Sequence, residues 1–163
     1  MSPEKKTNNI KSIILQLAVV LFIVIGYFLI DFSSLYQSLK GKAEFVTQNS
    51  TCDLHKSSCS VKIQDGTTFE FEINPKSIPL MQNLKFSIKS DNKDLKNLYL
   101  NIYATNMFMG DFNLPIKNLG NGNYEANGTL PTCPVGDMQW NADIRIEKIN
   151  KTIGARFQFK TDK

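Results

Sequence analysis

VKIQDGTTFEFEINPKSIPLMQNLKFSIKS, residues 61–90, is the stretch on which the fold turns. Apolar and polar residues exchange places one by one. Val61 and Ile63 alternate with Lys62 and Gln64, Phe69, Phe71 and Ile73 with Glu70 and Glu72, and Leu84, Phe86 and Ile88 with Lys85 and Ser87. Successive side chains of an extended chain project to opposite faces, so each run predicts a strand with one dry and one wet side. Asp65-Gly66 and Asn74-Pro75 separate the runs as turns.

The same period continues outward. Leu98, Leu100 and Ile102 form one set, Tyr124 and Ala126 another, then Trp140, Ala142, Ile144 and Ile146, and last Phe157 and Phe159. Ser90 to Lys93, Gly120-Asn-Gly122, Pro134 to Asp137 and Asn150-Lys151 supply turns between them. Some seven or eight short strands without an amphipathic helix predict an all-β domain over 49–163, an antiparallel β-sandwich of immunoglobulin-like type.

Towards the amino terminus the pattern changes. Residues 13–30, IILQLAVVLFIVIGYFLI, carry no charge. As a helix they would span roughly 27 Å, close to the hydrocarbon thickness of a bilayer. The run is longer than the apolar core of a signal peptide, and no small-residue cleavage site comes after it, so it predicts an uncleaved transmembrane helix. Lys5, Lys6 and Lys11 against Glu4 predict that residues 1–12 stay in the cytoplasm, placing residues 31–163 outside. Residues 31–48, without a sustained period, are expected to be a connector.

The charges before the apolar run account for +2 of the net +4, which leaves the exported part weakly basic with its charges scattered. A nucleic-acid partner would require a clustered basic face, so none is expected. GxSxG, HExxH and Walker sequences are absent, and a single histidine, His55, leaves little for acid–base chemistry. The chain is not expected to be an enzyme. Asn49-Ser-Thr51, Asn127-Gly-Thr129 and Asn150-Lys-Thr152 match the glycosylation acceptor, a pattern short enough to arise by chance.

Sulfur is the remaining chemistry. CDLHKSSC places Cys52 and Cys59 seven apart with His55 between them. Outside the membrane this spacing predicts a disulfide closing a short loop, with a Cys-His-Cys copper site as the alternative. Cys133, between Pro131 and Pro134, belongs in a loop or at a strand end. In NMFMGDF, residues 106–112, Met107 and Met109 would share one face of an extended chain. They are either soft core packing or, with Cys133 and Met138, thioether and thiolate ligands for copper. Gly110-Asp111 suggests that the strand ends there, leaving Met107 buried and Met109 exposed.

The segment Leu98–Ile146 resembles the YtkA-like and FixH-like group of membrane-anchored extracytoplasmic domains. The matching pieces are Met107, Met109 and Gly110, then Gly120, Gly122 and Tyr124, then Gly136, Met138 and Trp140. The resemblance implies an Ig-type sandwich, in some members tied to copper supply for haem-copper oxidases. Together these readings predict a single-pass inner-membrane protein. Its periplasmic domain would assist a respiratory or envelope complex by binding, with candidate metal ligands Met107, Met109, Cys133, Met138 and His55. The alternative is a purely structural interaction module with the sulfur residues as packing.

Overall fold

The computed structural model describes residues 12–21, 42–93, 95–132, 136–148 and 151–162. The chain divides into two compact units, residues 1–41 and residues 42–163. In the first, residues 12–21 form a helix, α1. Among the described residues no helix is long and apolar enough to cross a membrane. The rest of the predicted span, 22–30, lies outside them.

Among the described residues the second unit is all-β, with ten strands that form two five-stranded sheets. In chain order they are β1 (Lys42–Thr47), β2 (Cys59–Lys62), β3 (Thr68–Asn74), β4 (Asn83–Ser90), β5 (Leu98–Ala104), β6 (Asp111–Leu114), β7 (Lys117–Gly120), β8 (Asn123–Thr129), β9 (Met138–Lys148) and β10 (Lys151–Thr161). Sheet A runs β1-β10-β9-β5-β6 and sheet B runs β2-β3-β4-β8-β7. Each predicted set of alternating residues falls on a strand, with Ile63 just past the end of β2. Residues 42–47, expected to belong to the connector, form β1 instead and pair in parallel with β10, the one parallel pair among these strands. The short strands β6 and β7 carry no such alternating set and go beyond the sequence expectation.

The alternation works as the sequence implies. β3 buries Phe69, Phe71 and Ile73, β4 buries Leu84, Phe86 and Ile88, and β9 buries Trp140, Ala142, Ile144 and Ile146. These faces meet in one core. Phe71 of sheet B stacks on Phe86 at 6.1 Å and reaches across to Phe157 of sheet A at 4.9 Å. Trp140 packs on Phe159 and satisfies its buried indole N–H by donating to Thr161 Oγ1 at 2.9 Å.

Phe71 is fully buried and joins both sheets, so Phe71→Ala should cost about 3–5 kcal/mol by transfer and cavity terms. Urea denaturation of the full chain measures it, and a loss under about 1 kcal/mol would show that the two sheets do not share this contact.

Candidate functional site

The loop ahead of β2 is closed by a disulfide between Cys52 and Cys59, with Cα atoms 5.8 Å apart. The pairing expected from spacing is therefore present, and the alternative Cys-His-Cys copper site falls because both sulfurs are consumed in the bond. His55 is engaged as well. Its Nδ1 lies 2.9 Å from the carbonyl oxygen of Lys76 and its Nε2 2.7 Å from that of Lys160. Carbonyl oxygens only accept, and which ring nitrogen donates depends on the tautomer, so the ring lies between the two carbonyls. The imidazole therefore straps the disulfide loop to the β3–β4 connection and to the end of β10.

Of the other candidate ligands, Met138 opens β9 and is buried in the core at 1% exposure. Cys133 lies outside the described residues. Met107 and Met109 are both half-buried and packed against the core. The expected split, Met107 buried and Met109 exposed, is not found. The reason is conformational: β5 ends at Ala104, so NMFM is a loop and not the strand whose end would have sorted the pair.

That loop has a definite geometry. Thr105 donates its backbone N–H to the Gln139 carbonyl at 2.8 Å, Asn106 Nδ2 donates to the Asp137 carbonyl at 2.8 Å, and Gln139 N–H donates to Asn106 Oδ1 at 3.1 Å. The base of the loop is thus pinned to the start of β9. Gly110, at φ +80°, takes the left-handed turn into β6 that a side chain would strain. With both methionines packed inward, Phe108 projects outward at 95% exposure, well beyond Met81, the next most exposed large apolar residue of this unit among the described residues at 65%.

The outer face of sheet A carries an arrangement with no local signal in the sequence. Register sets Arg156, Asp143, Asn101 and Asn113 side by side on β10, β9, β5 and β6, and beside them Gln158, Asn141 and Tyr103. Asp143 has no exposed surface. It accepts from Arg156 Nε at 2.7 Å and Nη2 at 2.9 Å, from the Tyr103 hydroxyl at 3.4 Å, and lies 3.6 Å from Arg145 Nη2. Its hydrogen bonds to Asp143 raise the pKa of the Arg156 guanidinium above its ordinary value. Arg145 donates to Asn101 Oδ1 and Asn101 to Asn113 Oδ1, both at 2.8 Å, while Gln158 donates to Asn141 and Asn141 to Tyr103. Phe45 of β1 lies under both guanidinium groups, at 4.8 Å from Arg156 and 5.6 Å from Arg145. It fits because its partner in register is Gly154, where a Cβ would run into the Ile144 carbonyl and the Phe45 ring.

No family model and no curated protein matches the chain. A solved structure, a DUF4785 family protein from Legionella pneumophila, is similar over 59% of this chain at 17% identity and a TM-score of 0.38, a likeness too distant to bear on fold or function. The chain spans 27% of the length of that protein.

Two measurements probe this region. Arg156→Met strands the Asp143 carboxylate without its bidentate partner and should cost about 3–5 kcal/mol in urea denaturation, whereas Tyr103→Phe, which removes one hydrogen bond, should cost about 1 kcal/mol. Equal losses would show that charge compensation is not what the cluster supplies. The second measurement concerns pH. The His55 backbone N–H, then Lys56, hold the Asp53 carboxyl below its ordinary range, and the Lys76 ammonium does the same for Glu72. Both bind protons less readily folded than unfolded, so their stabilisation is complete above the unfolded carboxylate values and is lost as pH falls through the folded ones. Thermal melts should be flat from about pH 7 to 5 and drop below about pH 4. Melting temperatures that rise on acidification would reverse the sign.

Proposed function

We propose that this chain acts by binding and not by catalysis, as a membrane-anchored interaction module of an envelope or respiratory assembly, with its sulfur residues serving as packing. The observation that carries this reading is Phe108. A benzyl side chain at 95% exposure, on a loop whose base is hydrogen-bonded to β9 and whose neighbouring methionines pack inward, is placed to enter an apolar recess of a protein partner. The anchor and the periplasmic location of the sandwich rest on the apolar run 13–30 and the lysines before it.

The immunoglobulin-like part of the reading is supported by strand order. If β3, β4, β5, β7, β8, β9 and β10 are lettered A to G, sheet B contains ABED and sheet A contains GFC, with β6 beside C as the extra strand of variable-type domains. The motifs shared with the YtkA-like and FixH-like group point the same way. Copper supply is the second reading, favoured by the partial exposure that Met107 and Met109 retain.

A photo-crosslinking phenylalanine analogue placed at 108 in cells making the full chain should capture one discrete protein, and the same analogue at Met81 should not. Capture at both positions or at neither overturns the Phe108 reading. Cu(I) titration of the purified full chain separates the second reading. Stoichiometric binding that disappears in the Met107→Leu, Met109→Leu variant, whose folding penalty should stay below about 1.5 kcal/mol per site, would establish copper handling.

A further inference from the structure

Beyond the Asp143 cluster, towards the Lys160 end of β10, the outer face of sheet A opens into a cleft of about 250 Å³. Gln139, Asn141, Gln158 and Lys160 form its floor, since period two sends all four outward and register sets Asn141 beside Gln158 and Gln139 beside Lys160. Thr105 of the pinned loop stands on one side. Gln48 stands on the other, just past β1, donating its backbone N–H to the Arg156 carbonyl at 2.9 Å and its Nε2 to the carbonyls of Gln158 at 2.9 Å and Cys52 at 3.3 Å. Cys52 is fixed by the disulfide, so this wall is rigid.

The unused polar atoms of the cleft bear on what it could hold. Asn141 is committed on both sides, accepting from Gln158 and donating to Tyr103. That leaves Gln158 Oε1, the whole Gln139 carboxamide and the Lys160 ammonium. Gln48 Oε1, in the wall, is buried without a hydrogen-bond partner among the described residues. Among those residues no carboxylate lines the cleft, so nothing there selects a cation. Carboxamides offer donor and acceptor together, the pattern that matches adjacent hydroxyl groups, each of which both gives and takes a hydrogen bond. An extended peptide is a poor match, because past the end of β1 the β10 carbonyls of Gln158 and Lys160 are already met by Gln48 Nε2 and His55 Nε2, which leaves a strand little backbone there to pair with. The volume is below the roughly 300–1,000 Å³ of drug-sized pockets and suits a single ring.

We propose that this cleft binds one neutral sugar residue of a glycan chain. Because Gln139 is exposed and its amide has no partner among the described residues, Gln139→Ala leaves the sandwich intact and tests the site directly. The full chain, in a detergent without a sugar headgroup, is titrated with cellotriose, with chitotriose, which adds acetamido groups, and with inorganic phosphate. Side-chain amide resonances are tracked by NMR. The expected result is saturable shifts of the Gln48, Gln139 and Gln158 amides with at least one of the two sugars. In Gln139→Ala the affinity should fall about tenfold, the loss of one to two hydrogen bonds, at unchanged melting temperature. Three outcomes overturn the proposal: no saturation by either sugar at about 10 mM, tenfold above a 1 mM Kd; saturation by phosphate alone; or unaltered sugar affinity in Gln139→Ala.

Discussion

A carboxylate with no exposed surface must be compensated where it stands, because the cost of taking it from water exceeds what one distant charge returns. Asp143 meets that condition with donors from three strands: Arg156 on β10, Tyr103 on β5 and, more remotely, Arg145 on its own β9. The consequences spread laterally. Arg145 and Asn101 carry the connection to Asn113 on β6, and the Arg156 guanidinium carries it to Phe45 on β1. All five strands of sheet A are therefore coupled on the side away from the core. This coupling matters most where β1, paired in parallel at the edge, has backbone hydrogen bonds to only one neighbour.

With sheet A held on both faces, the features at its ends inherit fixed positions. The start of β9 is the anchor for Asn106, which sets the direction of the Phe108 loop. The end of β10 receives His55, which ties down the disulfide loop and hence the wall that Gln48 builds over Gln158. Both arise because long strands carry polar side chains to defined places; at the same end Met107 and Met109 pack against the core and Cys52 and Cys59 close a loop.

The core was legible because burial on a strand leaves a period of two, and Phe69-Glu-Phe-Glu-Ile73 can hardly be read otherwise. β1 was not legible: its partner β10 lies more than a hundred residues away, and KAEFVT alone shows no clean alternation. β7 failed for the opposite reason, since all four of its residues are exposed and nothing distinguishes them from a loop. The disulfide was legible from the spacing of Cys52 and Cys59. Asp143 had no local signature. Asn141, Asp143 and Arg145 alternate with apolar neighbours as solvated residues would, and only the registration of β5 and β10 against β9 turns that face into a closed network. The methionines escape the period because assigning a face requires a strand, and the strand stops before them.

The size of the contact proposed for Phe108 constrains how it could work. Full burial of one phenylalanine is worth about 1.5–3 kcal/mol, while association costs several kcal/mol in lost translational and rotational freedom. A single projecting ring cannot hold a partner from free solution. It can do so when encounter is no longer a three-dimensional search, and an anchor of the kind predicted over 13–30 would supply that by confining the module to the membrane of its partner and raising the effective concentration. The pinned loop serves the same end. Thr105 and Asn106 have their hydrogen bonds before any partner arrives, and Met107 and Met109 are already packed, so ordering the loop adds little to the cost of binding. On the proposed reading, weak contact, prior rigidity and confinement would be parts of one arrangement, in which removing any one leaves the other two insufficient.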